Sequence, residues 1–399
     1  MNRIIYITFI IVLVCFCVES LSQPTSYIDS LTSVTLGRTM SFSIVLPSNY
    51  NSADSYPVLY LLHGYGYNHL QWLDIADYVD DISIVAVIPD TKNSFCVNSY
   101  TQQQNRFEDY LIDELPKYVQ QKYAVDTTRQ AIAGYSMGGY GALMLAFRHP
   151  NRFWFSASLS GSINVPHDIE TLKYDPLYSF AFPNLTNLFG ERPNIFRTEH
   201  DLFYLYKNTS PDSLPYCFLI IGIQDDFPTF LQRHRDLAES LRVYNAPYEY
   251  HEIPGTHSSQ NRHTEIQLAL RRMKELMQQG FRSVAWTIAR TIREKSIDQA
   301  LKQYYYLRNN PTDFYYIDEG EINSLGYQLL ETNKVKEAIA VFTLNVEAFP
   351  ESYNVYDSLG EAYMISGDNE FAIKNYQKSI ELNPHNTYGI EMLKKLKAN

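Results

Sequence analysis

The sequence predicts an α/β domain built on a mostly parallel central sheet, followed by a small all-α domain. Three observations predict it. Runs such as VLYLL, IVAVI and FLII are apolar without alternation, as strands covered on both faces must be. Longer amphipathic stretches separate them, which is the βα alternation of a layered fold. Beyond Gly280 the pattern changes to a repeat of 34 residues. A chain of 399 residues exceeds one ordinary core, so two domains are expected, at 23–280 and 281–399, after a leader at 1–22.

The leader reads MNRIIYITFIIVLVCFCVESLS, with one Arg near its start, an apolar run from Ile4 to Val18 and small polar residues at its exit. That pattern predicts a secretory signal cleaved after Ser22, and so a secreted or periplasmic protein. The apolar run is short for a full membrane span, which disfavours an uncleaved anchor. Only Cys96 and Cys217 then remain, read as buried thiols rather than as a bridge.

Strands are expected at Ser33–Leu36, Ser41–Leu46, Val58–Leu62, Ile82–Ile88, Gln130–Ala133, Phe155–Leu159, Cys217–Ile221 and Tyr248–Ile253. The first two, divided by Gly37-Arg38-Thr39, read as an antiparallel edge hairpin. Helices are expected at Phe107–Tyr123, Gly138–Phe147, Pro228–Tyr244 and Ser258–Met277. The aromatic segment Ile163–Asn208 carries four prolines and reads as a lid or irregular insertion. In the tail, Leu325-Gly326, Ala338-Ile339 and Pro350 recur 34 residues later as Leu359-Gly360, Ala372-Ile373 and Pro384, which resembles the tetratricopeptide family over Glu321–Pro384. Thr387–Lys397 reads as its capping helix, and Ser296–Asn310 as half of an earlier unit. So short an array is expected to lean on the α/β domain or on a second copy, and either to bind a peptide partner or to mediate self-association.

The formal charge of −11 argues against a nucleic-acid partner, which would need a concentrated basic face. The ten histidines lack ligand spacing, so no metal and no cofactor are expected.

The stretch IAGYSMGGYGA carries the chemistry. A strand ends at Gly134, a helix begins near Gly138, and G-Y-S-M-G falls between them, which is the strand–turn–helix setting of a nucleophile elbow around Ser136. A serine hydroxyl needs a base oriented by a carboxylate. Asp225 and Asp226 follow one strand, and His257 follows the next in a Pro254-Gly255-Thr256-His257 turn. Asp225 is preferred as the acid, and His257 as the base. His251 lies within a strand, His234 and His263 within helices, and His149 at a helix end. The oxyanion requires two N–H donors, assigned to Met137 at the helix start and Tyr65 in the His63-Gly64-Tyr65-Gly66 loop. His63, Gly64, Tyr135 and Trp72 are further candidates for contact with substrate.

YPVLYLLHG, IAGYSMGGYGALMLAFRHPNRF, SLSG, the G-x-x-D strand end and PGTH together resemble the putative-esterase family of α/β-hydrolases, over roughly Ser33–Gln278. That family includes tributyrin, feruloyl and acetylxylan esterases, S-formylglutathione hydrolases and mycolyltransferases. The resemblance implies an α/β-hydrolase fold, a Ser136–His257–Asp225 triad and a carboxylesterase; with the leader, an exported one acting on a small or carbohydrate-linked ester is expected. An acyltransferase, a trilactone esterase and a binding protein with a vestigial hydrolase domain are the alternatives. After His257 this chain has Ser258-Ser-Gln-Asn-Arg where many relatives carry aromatic residues, which leaves the alcohol side of the site open.

Overall fold

A computed structural model describes residues 23–176, 178–309 and 315–398. The expected signal at 1–22 and Pro311 of the tail lie outside the described residues. Eight strands form one sheet: β1 (Thr25–Ser33), β2 (Arg38–Leu46), β3 (Tyr56–Leu62), β4 (Val85–Pro89), β5 (Val125–Tyr135), β6 (Phe155–Leu159), β7 (Tyr216–Gly222) and β8 (Tyr248–Ile253). Their spatial order is β1-β2-β4-β3-β5-β6-β7-β8, with β1 and β2 antiparallel and every pairing from β4 to β8 parallel. This is the α/β-hydrolase arrangement.

The apolar run of β3 shows why its sequence does not alternate. Val58, Tyr60 and Leu62 enter the core on one face, which the helix Met137–Arg148 covers, while Leu59 and Leu61 enter the core on the other, shared with Ile266, Ala269 and Leu270 of the helix Ser259–Gln279. Each face is fully removed from water, so each position selects for an apolar residue.

Several strands run longer than expected, β5 beginning five residues before Gln130, and two assignments ran into neighbouring elements. The first strand is Thr25–Ser33, not Ser33–Leu36, because residues 34–37 form the turn itself. The Glu114 carboxylate accepts from Ser33 Oγ at 2.5 Å and from Val34 N–H at 2.6 Å, and Gly37 takes φ +63°. Most of β1 is solvent-exposed, so it carried no apolar run to read. The fourth strand starts at Val85 rather than Ile82, since Ile82 closes the helix Ala76–Ile82 and Ser83 caps it at φ +55°.

The segment Ile163–Asn208 is packed rather than irregular, with short helices at Ile169–Leu172, Phe182–Phe189, Ile195–Glu199 and Leu202–Leu205. A buried carboxylate pins it to the body. Glu108 accepts from Arg148 Nε at 2.8 Å and from His149 Nε2 at 2.8 Å, and meets His200 Nε2 at 3.4 Å. Burial alone would raise the Glu108 carboxyl, but hydrogen bonds from the two histidines and the Arg148 guanidinium outweigh it and hold it well below the usual carboxylate range. A depressed native value means that the contribution is complete above the unfolded carboxyl pKa of about 4.3 and fades as pH falls. Glu108→Gln is therefore expected to cost about 3 kcal/mol near neutrality, with the gap to wild type narrowing towards pH 3 in urea melts. A gap that stayed constant with pH would show that the charge does not hold this segment.

Cys96 and Cys217 are free and buried. Burial pushes the Cys96 thiol up to about 12.

The tail is all-helical, with helices beginning at 319, 353 and 387 and at 335 and 369, so equivalent helices start 34 residues apart. Gly326 lies under Phe342, and Gly360 under Tyr376; a Cβ at Gly326 would come within 2.4 Å of the ring, so the glycine lets paired helices close. The tail leans on the α/β domain. Arg282 donates to the carbonyls of Asp212 and Leu214, and Arg290 pairs with Asp212 at 2.7 Å. Among the described residues no helix is long and apolar enough to cross a membrane.

Candidate active site

Ser136 sits between β5 and the helix Met137–Arg148 at φ +55°, ψ −117°. For a residue with a Cβ this conformation is strained by roughly 1–3 kcal/mol, so its surroundings must enforce it. They do so through the backbone: Ser136 N–H donates to Leu159 O at 2.9 Å, and Ser136 O accepts from Gly139 N–H at 2.9 Å and Ser162 N–H at 3.0 Å. The glycines are sterically required. A Cβ on Gly134 would lie 2.3 Å from the Gly138 backbone, and one on Gly138 would lie 2.5 Å from Leu62 O. The second contact matters chemically, because it brings the loop after β3 against the start of the helix.

Asp225 and His257 follow β7 and β8, and His257 Nδ1 lies 2.9 Å from Asp225 Oδ2. The Asp225 side chain is only 1% exposed, and its Oδ1 accepts from Phe227 N–H at 2.9 Å, so the carboxylate cannot swing away. With a carboxylate as acceptor, Nδ1 carries the proton and Nε2 is left as the basic nitrogen. The two loops are clasped together by Gln224 N–H to Gly255 O at 3.0 Å and Gly255 N–H to Gln224 Oε1 at 2.6 Å. The imidazole lies along Tyr135, with ring centroids 4.8 Å apart, and meets Phe227 edge-on at 5.0 Å.

The competing residues are occupied elsewhere. Asp226 is exposed to solvent. His251 bonds Glu249 at 2.6 Å, and His149 belongs to the Glu108 cluster. His263 stands 3.7 Å from Asp74. His234 is buried, which lowers its pKa to about 4, and it bonds the Phe230 carbonyl.

Ser136, His257, Gly64, Tyr65 and Tyr135 line one cavity of about 510 Å³. Met137 opens the helix, so its N–H has no intrahelical acceptor. The loop carrying the Tyr65 N–H is fixed on both sides, by Gly64 N–H to Gln71 Oε1 and Gly66 N–H to Asn93 Oδ1, each at 2.8 Å.

His63 and Trp72, expected to touch substrate, stand behind the wall instead, both with no exposed surface. His63 Nε2 accepts from Thr91 N–H at 2.9 Å, and Trp72 Nε1 donates to Leu62 O at 3.0 Å. They brace the loop after β3 from inside, which explains a His and a Trp near a site that neither reaches. The sequence reading missed Tyr67, Gln71, Phe180, Phe227 and Arg262, which also line the cavity. Phe227, two residues past Asp225, was within reach of a local argument. Phe180 arrives from the distant inserted segment and packs edge-on to Tyr65 at 5.5 Å.

Similarity to known proteins agrees with this fold. Residues 33–273 match the family described as "Putative esterase". An acetyl esterase of Caldicellulosiruptor saccharolyticus is 26% identical over 213 residues, covering 51% of this chain and 78% of that protein. An esterase of Mycobacterium tuberculosis is 28% identical over 251 residues, covering 56% of this chain and 53% of that one, so the chain spans about half the length of this relative. Among solved structures, the fluorophosphonate-binding serine hydrolase FphF of Staphylococcus aureus superposes with a TM-score of 0.55 at 22% identity, over 63% of this chain and 99% of its own, a likeness of fold. A match spanning 33–273, on a sheet of this topology, means that the chain belongs to the putative-esterase family of ester hydrolases.

Proposed function

We propose that the protein is a serine carboxylesterase in which Ser136 is the nucleophile, His257 the general base and Asp225 the residue that orients it. One observation carries the reading: a serine held at φ +55° opens onto the same cavity as an imidazole whose Nδ1 is 2.9 Å from a buried carboxylate. His257 Nε2 takes the Ser136 proton as Oγ attacks the ester carbonyl, and the Met137 and Tyr65 N–H groups receive the oxyanion. Collapse breaks the bond to the alcohol, which leaves with that proton. Water, deprotonated by His257, then releases the acid and restores Ser136.

The aromatic lining of Tyr65, Tyr67, Tyr135, Phe180 and Phe227 favours flat or apolar acyl groups. Together with the acetyl esterase likeness, it supports acetyl or feruloyl esters on carbohydrate as substrates. The apolar run Ile4–Val18 supports export, and the 34-residue spacing of the tail supports a tetratricopeptide module that takes a peptide or a second copy.

The test is hydrolysis of p-nitrophenyl acetate and methyl ferulate before and after treatment with an alkyl fluorophosphonate, followed by peptide mapping. Loss of both activities with one adduct, on Ser136, is expected. An adduct at another residue, or full activity in stoichiometrically labelled protein, would overturn the assignment.

A further inference from the structure

Glu265 lies midway along the helix Ser259–Gln279 and is completely buried. The stripe around it, Arg262, Ile266, Ala269, Leu270, Met273 and Leu276, is the buried face of that helix. A carboxyl group in such a stripe is costly unless it is bonded to something. Its bonds lead to the site. Ser160 Oγ donates to Glu265 Oε1 at 2.6 Å, and Asn261 Nδ2 lies 3.3 Å from the same oxygen.

One partner belongs to a segment that carries the chemistry, and the other, one turn earlier on the same helix as Glu265, packs against two more. Ser160 follows β6 at φ +42°, between Leu159, whose carbonyl accepts from Ser136 N–H, and Ser162, whose N–H donates to Ser136 O. Asn261 is wedged against the other two loops: a Cβ on Gly255 would lie 2.1 Å from its Oδ1, and one on Gly222 would lie 2.7 Å from its Nδ2. Gly222 O accepts from Asp225 N–H at 3.1 Å, and Gly255 precedes His257 by two residues.

We propose that Glu265 is a positioning residue of the active site, whose single oxygen Oε1 ties the turn holding Ser136 to the loops holding Asp225 and His257. The inference rests on the serine-esterase reading above. Burial raises the Glu265 carboxyl well above the ordinary range, opposed by the Ser160 hydrogen bond and reinforced by the Asp225 charge. That direction favours the neutral acid, with Oε1 accepting both bonds and the proton on Oε2, which is buried with no hydrogen-bond partner among the described residues. A neutral tie suits this place, because an ionised one would set a second negative charge behind the carboxylate that orients His257.

A neutral acceptor can be imitated by an amide, which makes the idea testable. Glu265→Gln keeps an acceptor oxygen and is expected to hold kcat within about threefold of wild type. Glu265→Ala unties the loops and is expected to lower kcat by about 10- to 100-fold with KM little changed, as misplacement of reacting groups does. Ser160→Ala removes one bond, should lower kcat in the same sense, and should add little further loss in the Glu265→Ala background. If Glu265→Ala fails to fold, Ser160→Ala decides: reduced kcat supports the tie, and unchanged kcat overturns it. Wild-type kcat in folded Glu265→Ala, or Glu265→Gln as damaged as Glu265→Ala, would also overturn it. Ser136→Ala assayed alongside keeps the two ideas apart, since retained activity there defeats the esterase reading whatever Glu265 does.

Discussion

Ser136→Ala is expected to lower kcat/KM for p-nitrophenyl acetate by about 10⁴- to 10⁶-fold while leaving the melting temperature nearly unchanged. The size follows from the division of labour: without Oγ no acyl-enzyme forms, and His257, oriented by Asp225, has no nucleophile proton to take. What survives comes from substrate binding and the Met137 and Tyr65 N–H groups acting on attack by water. The fold should survive because the elbow is held by backbone bonds to Leu159, Gly139 and Ser162, none of which uses the hydroxyl. Wild-type rates in a correctly folded Ser136→Ala protein would mean that another residue is the nucleophile.

Asp225→Asn should cost about 10⁴-fold in kcat, and Asp226→Asn less than about twofold. The two acids are adjacent in sequence, yet only Asp225 is buried with both oxygens engaged. An Asn there can still accept from Phe227 N–H through its oxygen, but its NH₂ then faces His257 Nδ1. That favours the tautomer with the proton on Nε2, where His257 can no longer accept one from Ser136. Asp226 is exposed, so removing its charge should alter little. Paired kcat measurements on the two variants decide the matter, and a larger loss in Asp226→Asn would reassign the acid.

What could be read from the sequence depended on how local its cause was. The elbow was legible because strain at Ser136 demands small neighbours at Gly134 and Gly138, a requirement written within five residues. The parallel strands were legible because burial on both faces leaves unbroken apolar runs. The edge strand Thr25–Ser33 was misplaced because it pairs through its backbone while its side chains face water. His63 and Trp72 have the chemistry expected of a site, but their orientation is set by Thr91 and Leu62, which no local pattern reveals. Phe180 reaches the cavity from a segment whose path depends on long-range contacts such as the Glu108 cluster. Glu265 did leave a trace, as an acid on the apolar face of a helix, one residue before Ile266 and four before Ala269.

The junction with the tail has a spatial consequence. Arg282 grips carbonyls just before β7 begins, whereas Asp225 follows the end of that strand, and 7 residues of extended chain span about 23 Å. The junction with the tail and the mouth of the cavity therefore lie at opposite ends of β7, so a contact made at one end leaves the approach of an ester to the other unobstructed.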